Sequence, residues 1–174
     1  PIIGAFEIIP GTTAFAANNN FTTYSWNQGT PVFQDNQETN GLRAFADGRG
    51  YKFSVPAGLS PRTLKVYLGA NRATARFNVS LSDASAPSTF NSVTSPNGRA
   101  RKVFTVTFAA GLPGQTLDME WFMDGPPNGT GWVGIDAATL VSNNLPPALD
   151  PIADQNATEG QPFSLAINAT DADG

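Results

Sequence analysis

Cysteine and histidine are both absent from the 174 residues, and charge is scarce: Asp, Glu, Lys and Arg make up 14% of the chain, against roughly 25% in an average soluble domain. Without a thiol or an imidazole there is no disulfide, no Cys/His zinc or iron site, no thiol nucleophile and no Ser-His-Asp triad. Each of these needs a ligand or a near-neutral base that only those side chains supply. Catalysis is left with carboxylates, Lys, Tyr or a hard metal ion. Long hydrophobic runs are missing too, since nothing approaches the roughly 18 apolar residues of a membrane span. The N-terminal Pro1-Ile2-Ile3-Gly4 has neither Met nor a charged leader region, so the sequence reads as a piece of something longer. Basic residues are few and scattered, ten in all, which speaks against nucleic acid as a partner because phosphate contact needs them clustered.

What is present describes a turn-rich, strand-rich chain. Apolar residues reach 40%, enough for a core, and 17 Gly and 14 Pro accompany a surface of Asn, Thr, Ser and Gln. A loop-rich exported domain without a single cysteine fits bacterial secretion better than animal secretion. Asn-x-Ser/Thr sequons at Asn20, Asn78, Asn128, Asn156 and Asn168 are close to the number that so much Asn and Thr produces by chance. Charge divides the chain: residues 1–142 hold nine acidic and ten basic side chains, whereas 143–174 hold five acidic and none basic. The break coincides with Ser142-Asn143-Asn144-Leu145-Pro146-Pro147, which reads as a linker. The organisation expected is therefore an N-terminal segment 1–20 that adds an edge strand, a body 21–142, a Pro-rich linker 143–149 and a tail 150–174.

The body alternates with period two and holds no sustained helical stripe. Leu64, Val66 and Leu68 form one inward set, Phe77, Val79 and Leu81 another, and Ala70-Asn71-Arg72-Ala73 between them reads as the turn of a hairpin. Further strands are expected over Tyr51–Val55, Lys102–Phe108, Thr116–Met123 and Trp132–Val141, with weaker ones near Ala5–Ile9, Tyr24–Trp26, Leu42–Ala46 and Thr89–Thr94. Trp121, alternating with Leu117, Met119 and Met123, belongs to the core, and Trp26 is a strand-edge core residue. Many short strands with one apolar face each predict an all-β, two-sheet antiparallel β-sandwich, jelly-roll-like first and immunoglobulin-like second.

Two groups of residues in the body invite chemistry. Asp118 and Glu120 lie on one strand face about 7 Å apart by strand rise, within the range of inverting glycosidases. That spacing is also the ordinary pattern of a solvated strand face, which is how it is read here. Sugar binding is the better-supported expectation: aromatic faces stack on the C–H faces of sugars while amides and guanidinium groups bond the hydroxyls. Trp132 ends the loop Gly125-Pro126-Pro127-Asn128-Gly129-Thr130-Gly131, Tyr67 faces away from the inward set of its strand, and Asn71 and Arg72 lie just beyond. These four are the candidate ligand-binding residues.

The tail, from Asp150-Pro151-Ile152 through Glu159-Gly160 and Phe163-Ser164-Leu165-Ala166-Ile167 to Ala169-Thr170-Asp171-Ala172-Asp173-Gly174, resembles the opening of bacterial cadherin-like or immunoglobulin-like repeats. The resemblance implies that Asp171 and Asp173, with Glu159, are Ca²⁺ ligands, a role that suits clustered carboxylates with no Lys or Arg among them. In the body, Tyr24-Ser25-Trp26, Tyr51-Lys52-Phe53-Ser54-Val55-Pro56 and Leu64-Lys65-Val66-Tyr67-Leu68-Gly69 look like β-sandwich modules found between such repeats in large secreted bacterial proteins. Several of those modules are similar to carbohydrate-binding domains. The resulting expectation is a non-catalytic, extracellular recognition module that binds a glycan or a cell-surface partner and adjoins other domains of its polypeptide. A structural spacer with no ligand is the alternative.

Overall fold

Alternation becomes extended backbone almost wherever it occurs in the body. The computed structural model describes residues 6–11, 14–17, 23–27, 35–142 and 147–170, and among these there are twelve strands and no helix. They are β1 (Phe6–Ile8), β2 (Ala14–Ala17), β3 (Tyr24–Trp26), β4 (Asp35–Glu38), β5 (Gly41–Phe45), β6 (Gly50–Ala57), β7 (Arg62–Leu81), β8 (Thr89–Phe108), β9 (Gln115–Met123), β10 (Trp132–Ser142), β11 (Ala148–Leu149) and β12 (Ala169–Thr170). Every described ladder between them is antiparallel.

One expectation is corrected at the centre of the fold. Residues 63–81 are not a hairpin turning at Ala70–Ala73; they belong to the single 20-residue strand β7. The inward residues are even-numbered before Arg72 (Leu64, Val66, Leu68, Ala70) and odd-numbered after it (Ala73, Ala75, Phe77, Val79, Leu81), all buried. A turn produces that change of parity, but so does one residue held out of the ladder, because a slip of one reverses every later side chain. Arg72 is that residue. It adopts φ 48°, between the pairs Asn71↔Arg99 and Ala73↔Ser95, so it opposes Pro96-Asn97-Gly98 of β8. The true partner in the hairpin is β8, which follows β7 from Arg62↔Phe108 to Val79↔Thr89.

At this bulge β7 leaves one sheet and joins another. Residues 62–71 pair with β10, and residues 75–81 pair with β9. The first sheet runs β2-β5-β10-β7-β8 and the second β1-β6-β9-β7-β8, so that one continuous ladder folds into two layers. Their inner faces meet on aromatic side chains. Phe104 of the first sheet packs on Phe77 and Trp121 of the second, at ring separations of 4.9 and 6.1 Å. Leu64, Val66, Leu68 and Val133 on one side and Tyr51, Val55, Met119 and Trp121 on the other are essentially without solvent exposure. This is the two-sheet antiparallel sandwich of the jelly-roll kind, with Trp121 in the core as read from its alternation.

At the N-terminal end, β1 forms an edge of the second sheet against β6 and β2 an edge of the first against β5. Trp26 contributes its backbone to β3, and its side chain lies outside the described residues. In the tail, Ala148–Leu149 pairs with Ala169–Thr170. The alternating Phe163–Ile167 forms no strand, and Phe163, Leu165 and Ile167 are 54%, 39% and 62% exposed. Alternation makes a strand only where a second layer waits to cover its apolar side, and here none does.

Candidate functional site

The outer face of the second sheet carries one polar row across five strands. By register, Glu7 of β1 stands beside Lys52 of β6, Lys52 beside Glu120 of β9, Glu120 beside Asn78 of β7, and Asn78 beside Phe90 of β8. At about 4.8 Å between strands the row is about 19 Å long. Next to it lies the row Ser54, Asp118 and Ser80. Together they line an open groove of about 560 Å³. Each strand places these residues outward for the same reason it places Phe53, Met119, Val79 and Leu117 inward: a period of two with one face buried.

The row is tied together by its own side chains. Lys52 forms an ion pair with Glu120, Asn78 Nδ2 donates to Glu120 Oε2 at 3.3 Å, and Arg76 Nε donates to Asn78 Oδ1 at 3.0 Å. The Arg76 guanidinium lies 3.9 Å from the centre of the Phe90 ring. Phe90 is 61% exposed, an open aromatic face at the end of a fixed line of donors and acceptors. The hydrogen bond from Lys52 holds the Glu120 carboxyl below its ordinary range against the opposing effect of burial, with Asn78 adding to the lowering.

That lowered value has a consequence for stability. With the folded pKa below the unfolded one, the contribution is complete above the ordinary carboxylate value of about 4.3 and is lost as pH falls through the lowered value. Both partners are well exposed, 45% and 37%, so the pair contributes at most about 1 kcal/mol. Melting temperatures of the native chain and Glu120→Gln are expected to differ slightly at pH 7 and to converge once the pH has fallen below the lowered value of Glu120. A gap of unchanged size at low pH contradicts the assignment.

The four candidate residues of the sequence lie on the opposite side of the molecule, on the outer face of the first sheet. Trp132 is the first residue of β10 and stands beside Asn71 of β7. Its ring lies over a floor of two glycines, since a Cβ on Gly134 would stand 3.2 Å, and one on Gly69 3.7 Å, from ring atom Cζ3. Arg43 covers it at 4.3 Å and Arg99 at 5.3 Å from the ring centre. With its amide turned so that Nδ2 donates to Gly98 O at 2.8 Å, Asn71 accepts from Trp132 Nε1 at 3.2 Å. Trp132 is thus 8% exposed and is no open stacking surface. The expectation of an exposed loop ring is corrected, because two glycines side by side in the sheet leave a slot that the indole fills. Arg72 is exposed, and its carbonyl accepts from the Asn128 N–H at 2.8 Å. Tyr67, partly buried, meets Tyr24 edge-on at 5.3 Å.

The slot yields a paired prediction. A Cβ on Gly134 would also sit 2.9 Å from the Leu42 carbonyl oxygen, which is backbone, whereas on Gly69 nothing is nearer than 3.6 Å. Gly134→Ala is expected to destabilise by about 1–3 kcal/mol and Gly69→Ala by much less, as read from thermal unfolding. Equal effects would mean that the backbone and the indole do not crowd Gly134 more closely than Gly69.

Of the tail carboxylates, Asp171 and Asp173 lie outside the described residues. Glu159 is exposed, within the turn closed by Gln161 N–H to Thr158 O at 3.2 Å. Among the described residues no group of three metal-ligating side chains comes together. The sequence shows Arg76, Asn78, Ser80, Asp118 and Glu120 each as outward, and Asp118 with Glu120 as a pair on one strand face, but not that they share a groove. Only the strand pairing, which no periodicity reveals, aligns them with Lys52 and Phe90.

No family model matches the chain, and no curated protein matches it in sequence. Solved structures resemble it in fold. TmCBM61, solved in complex with β-1,4-galactotriose, superposes with a TM-score of 0.51 at 10% identity over 80% of this chain and 88% of that one. The CBM22-1–GH10 modules of Clostridium thermocellum endo-1,4-β-D-xylanase 10B, complexed with xylohexaose, give 0.49 at 12% identity over 79% of this chain and 26% of that one. The carbohydrate-binding module CBM36 in complex with calcium and xylotriose gives 0.37 at 16% identity over 74% and 99%. Of these three only the first exceeds 0.5, and at 10% identity it establishes architecture: this chain has the β-sandwich fold of a carbohydrate-binding module.

Proposed function

We propose that the chain is a non-catalytic carbohydrate-binding module and that its glycan lies across the strands along the row Lys52, Glu120, Asn78 and Phe90. The observation that carries this reading is the groove: a row of alternating donors and acceptors fixed by mutual hydrogen bonds, ending in a ring held open by Arg76. Sugars need both elements, hydroxyl partners whose rotamers are already chosen and an apolar surface for a pyranose face. The fold shared with TmCBM61 supports it, since that protein was solved with an oligosaccharide bound.

Binding without turnover is supported by the state of Glu120. A glycosidase acid must hold a proton near neutral pH, and Glu120, bonded to Lys52 and Asn78 with its pKa lowered, gives its proton up more readily than a free carboxyl. Affinity gel electrophoresis of the full chain against neutral polysaccharides (galactan, xylan, glucan) tests the reading. Retardation by at least one, with no reducing ends released, is expected; free migration through all of them would retire it.

The location follows the same reading: the module acts outside the cell, within a larger exported protein. Glu159, Asp171 and Asp173 remain a proposed Ca²⁺ set, resting on the resemblance of the tail to cadherin-like repeats. Calorimetric titration of the chain with Ca²⁺ is expected to give heat that Asp171→Asn abolishes, and no heat would remove the assignment.

A further inference from the structure

The groove on the second sheet is unevenly charged across its width. Its first row is closed on itself: Lys52 pairs with Glu120, and Arg76 donates to Asn78, lies over Phe90 and approaches Asp124 at 4.0 Å. Both cations that line the groove are thereby engaged. The lining also holds three acids, Glu7, Asp118 and Glu120. Glu7 stands beside Lys52 by register, and Glu120 is bonded by Lys52 and Asn78. Asp118 is placed differently. Its neighbours across the strands are Ser54 and Ser80, and it makes no ion pair among the described residues.

The Asp118 side chain is also held. Thr116, two residues earlier on the same face of β9, donates its hydroxyl to Asp118 Oδ1 at 2.9 Å. Thr116 is fixed in turn, since its N–H donates to Ser82 Oγ and its carbonyl accepts from the Ser82 N–H, both at 2.9 Å. One carboxylate oxygen is thus occupied, and Oδ2 has no partner among the described residues. An exposed acceptor whose rotamer is already chosen loses little freedom when a ligand engages it. Among the described residues no three ligating side chains come together, so the complement of this carboxylate is an organic cation.

We propose that Asp118 sets the specificity of the groove and that the favoured ligand is an amino sugar, a pyranose chain whose protonated amine meets the Asp118 carboxylate while Ser54 and Ser80 bond adjacent hydroxyls. The inference rests on the reading of the groove as the glycan site. A chain laid along Lys52, Glu120, Asn78 and Phe90 carries its substituents toward the next row, about 7 Å away along the strands. In that row of Ser54, Asp118 and Ser80, the charge is on Asp118. A neutral sugar leaves the carboxylate to water, a uronic acid meets a like charge, and an ammonium gains a charge-assisted hydrogen bond.

The test is titration calorimetry of the full chain with β-1,4-linked glucosamine oligomers and with β-1,4-linked glucose oligomers of the same length, in mildly acidic buffer where the sugar amine is charged. The two probes share a backbone and differ in the amine. The glucosamine oligomer is expected to bind about fivefold more tightly, the upper end for an exposed ion pair, and the margin should shrink as salt is raised. Asp118→Asn, an isosteric change at an exposed position, is expected to bring the glucosamine oligomer down to the affinity of the glucose oligomer. Asp154→Asn removes the same charge from the exposed tail and is expected to keep the margin, which separates a placed carboxylate from the general attraction of an acidic protein for a cation. Equal affinities for the two oligomers in the native protein, or equal losses in Asp118→Asn and Asp154→Asn, would overturn the assignment while leaving the groove as a glycan site. No binding of either oligomer would overturn it as well, and retention by galactan or xylan in the gel assay then shows whether the groove reading itself survives.

Discussion

Trp121→Ala is expected to lower stability by about 3–5 kcal/mol and the melting temperature by roughly 10 °C or more, the largest loss of any single side chain in this fold. Trp121 has no solvent exposure and sits where the two sheets meet, with Phe77 at 6.4 Å and Phe104 at 6.1 Å between ring centres. Truncation removes the indole from both contacts, and the β6-β9-β7 backbone, paired on both sides of Trp121 through Tyr51 and Phe77, cannot collapse into the space. Trp121→Phe should cost far less. It keeps a ring in place and discards an Nε1 that is buried without a partner among the described residues, a donor whose burial is itself a penalty. Thermal unfolding of both variants decides the point. Equal losses would show that the indole nitrogen is satisfied and that its bond, rather than ring volume, carries the effect.

Phe90→Ala and Asn78→Ala are expected to weaken neutral-oligosaccharide binding about tenfold or more each, with the melting temperature nearly unchanged in Phe90→Ala and modestly lowered in Asn78→Ala. Phe90 is 61% exposed, so its loss removes little from the core and takes away the apolar platform. Asn78 is the hinge of the row, accepting from Arg76 and donating to Glu120. Its loss costs one direct contact and frees two charged neighbours to move, and a hydrogen bond to a charged group contributes about 1.5–3 kcal/mol. The two effects should not add, because Arg76 contacts both residues. An affinity unchanged in the double variant would take the ligand out of the groove.

Much of this architecture was legible before any coordinates. The inward sets Leu64-Val66-Leu68, Phe77-Val79-Leu81 and Leu117-Met119-Trp121-Met123 are the core, and the sandwich follows from them. The misreading at Ala70–Ala73 has a specific cause: Asn-Arg between alanines is turn-like, and a bulge changes parity just as a turn does. Only the partner strand, with Pro96-Asn97-Gly98 set against Arg72, distinguishes the two. Trp132 misled for a related reason. A large ring after a Gly- and Pro-rich loop looks free, and the slot that holds it is made by Gly69 and Gly134, sixty-odd positions apart and neighbours only through the β7–β10 ladder. The groove was hidden in the same way. Its outward residues sit on five strands, from Glu7 to Glu120, and local patterning carries no register between strands.

The claim on which the functional account stands is that the ligand face is the outer surface of the second sheet. Backbone amide chemical-shift mapping by NMR, with a neutral oligosaccharide retained in the gel assay added to saturation, tests it in one measurement. The account predicts shifts concentrated at residues 52–54, 76–80, 88–90 and 118–120. Shifts confined to the loop 125–131 and the Trp132 face, with those four segments unmoved, would contradict it.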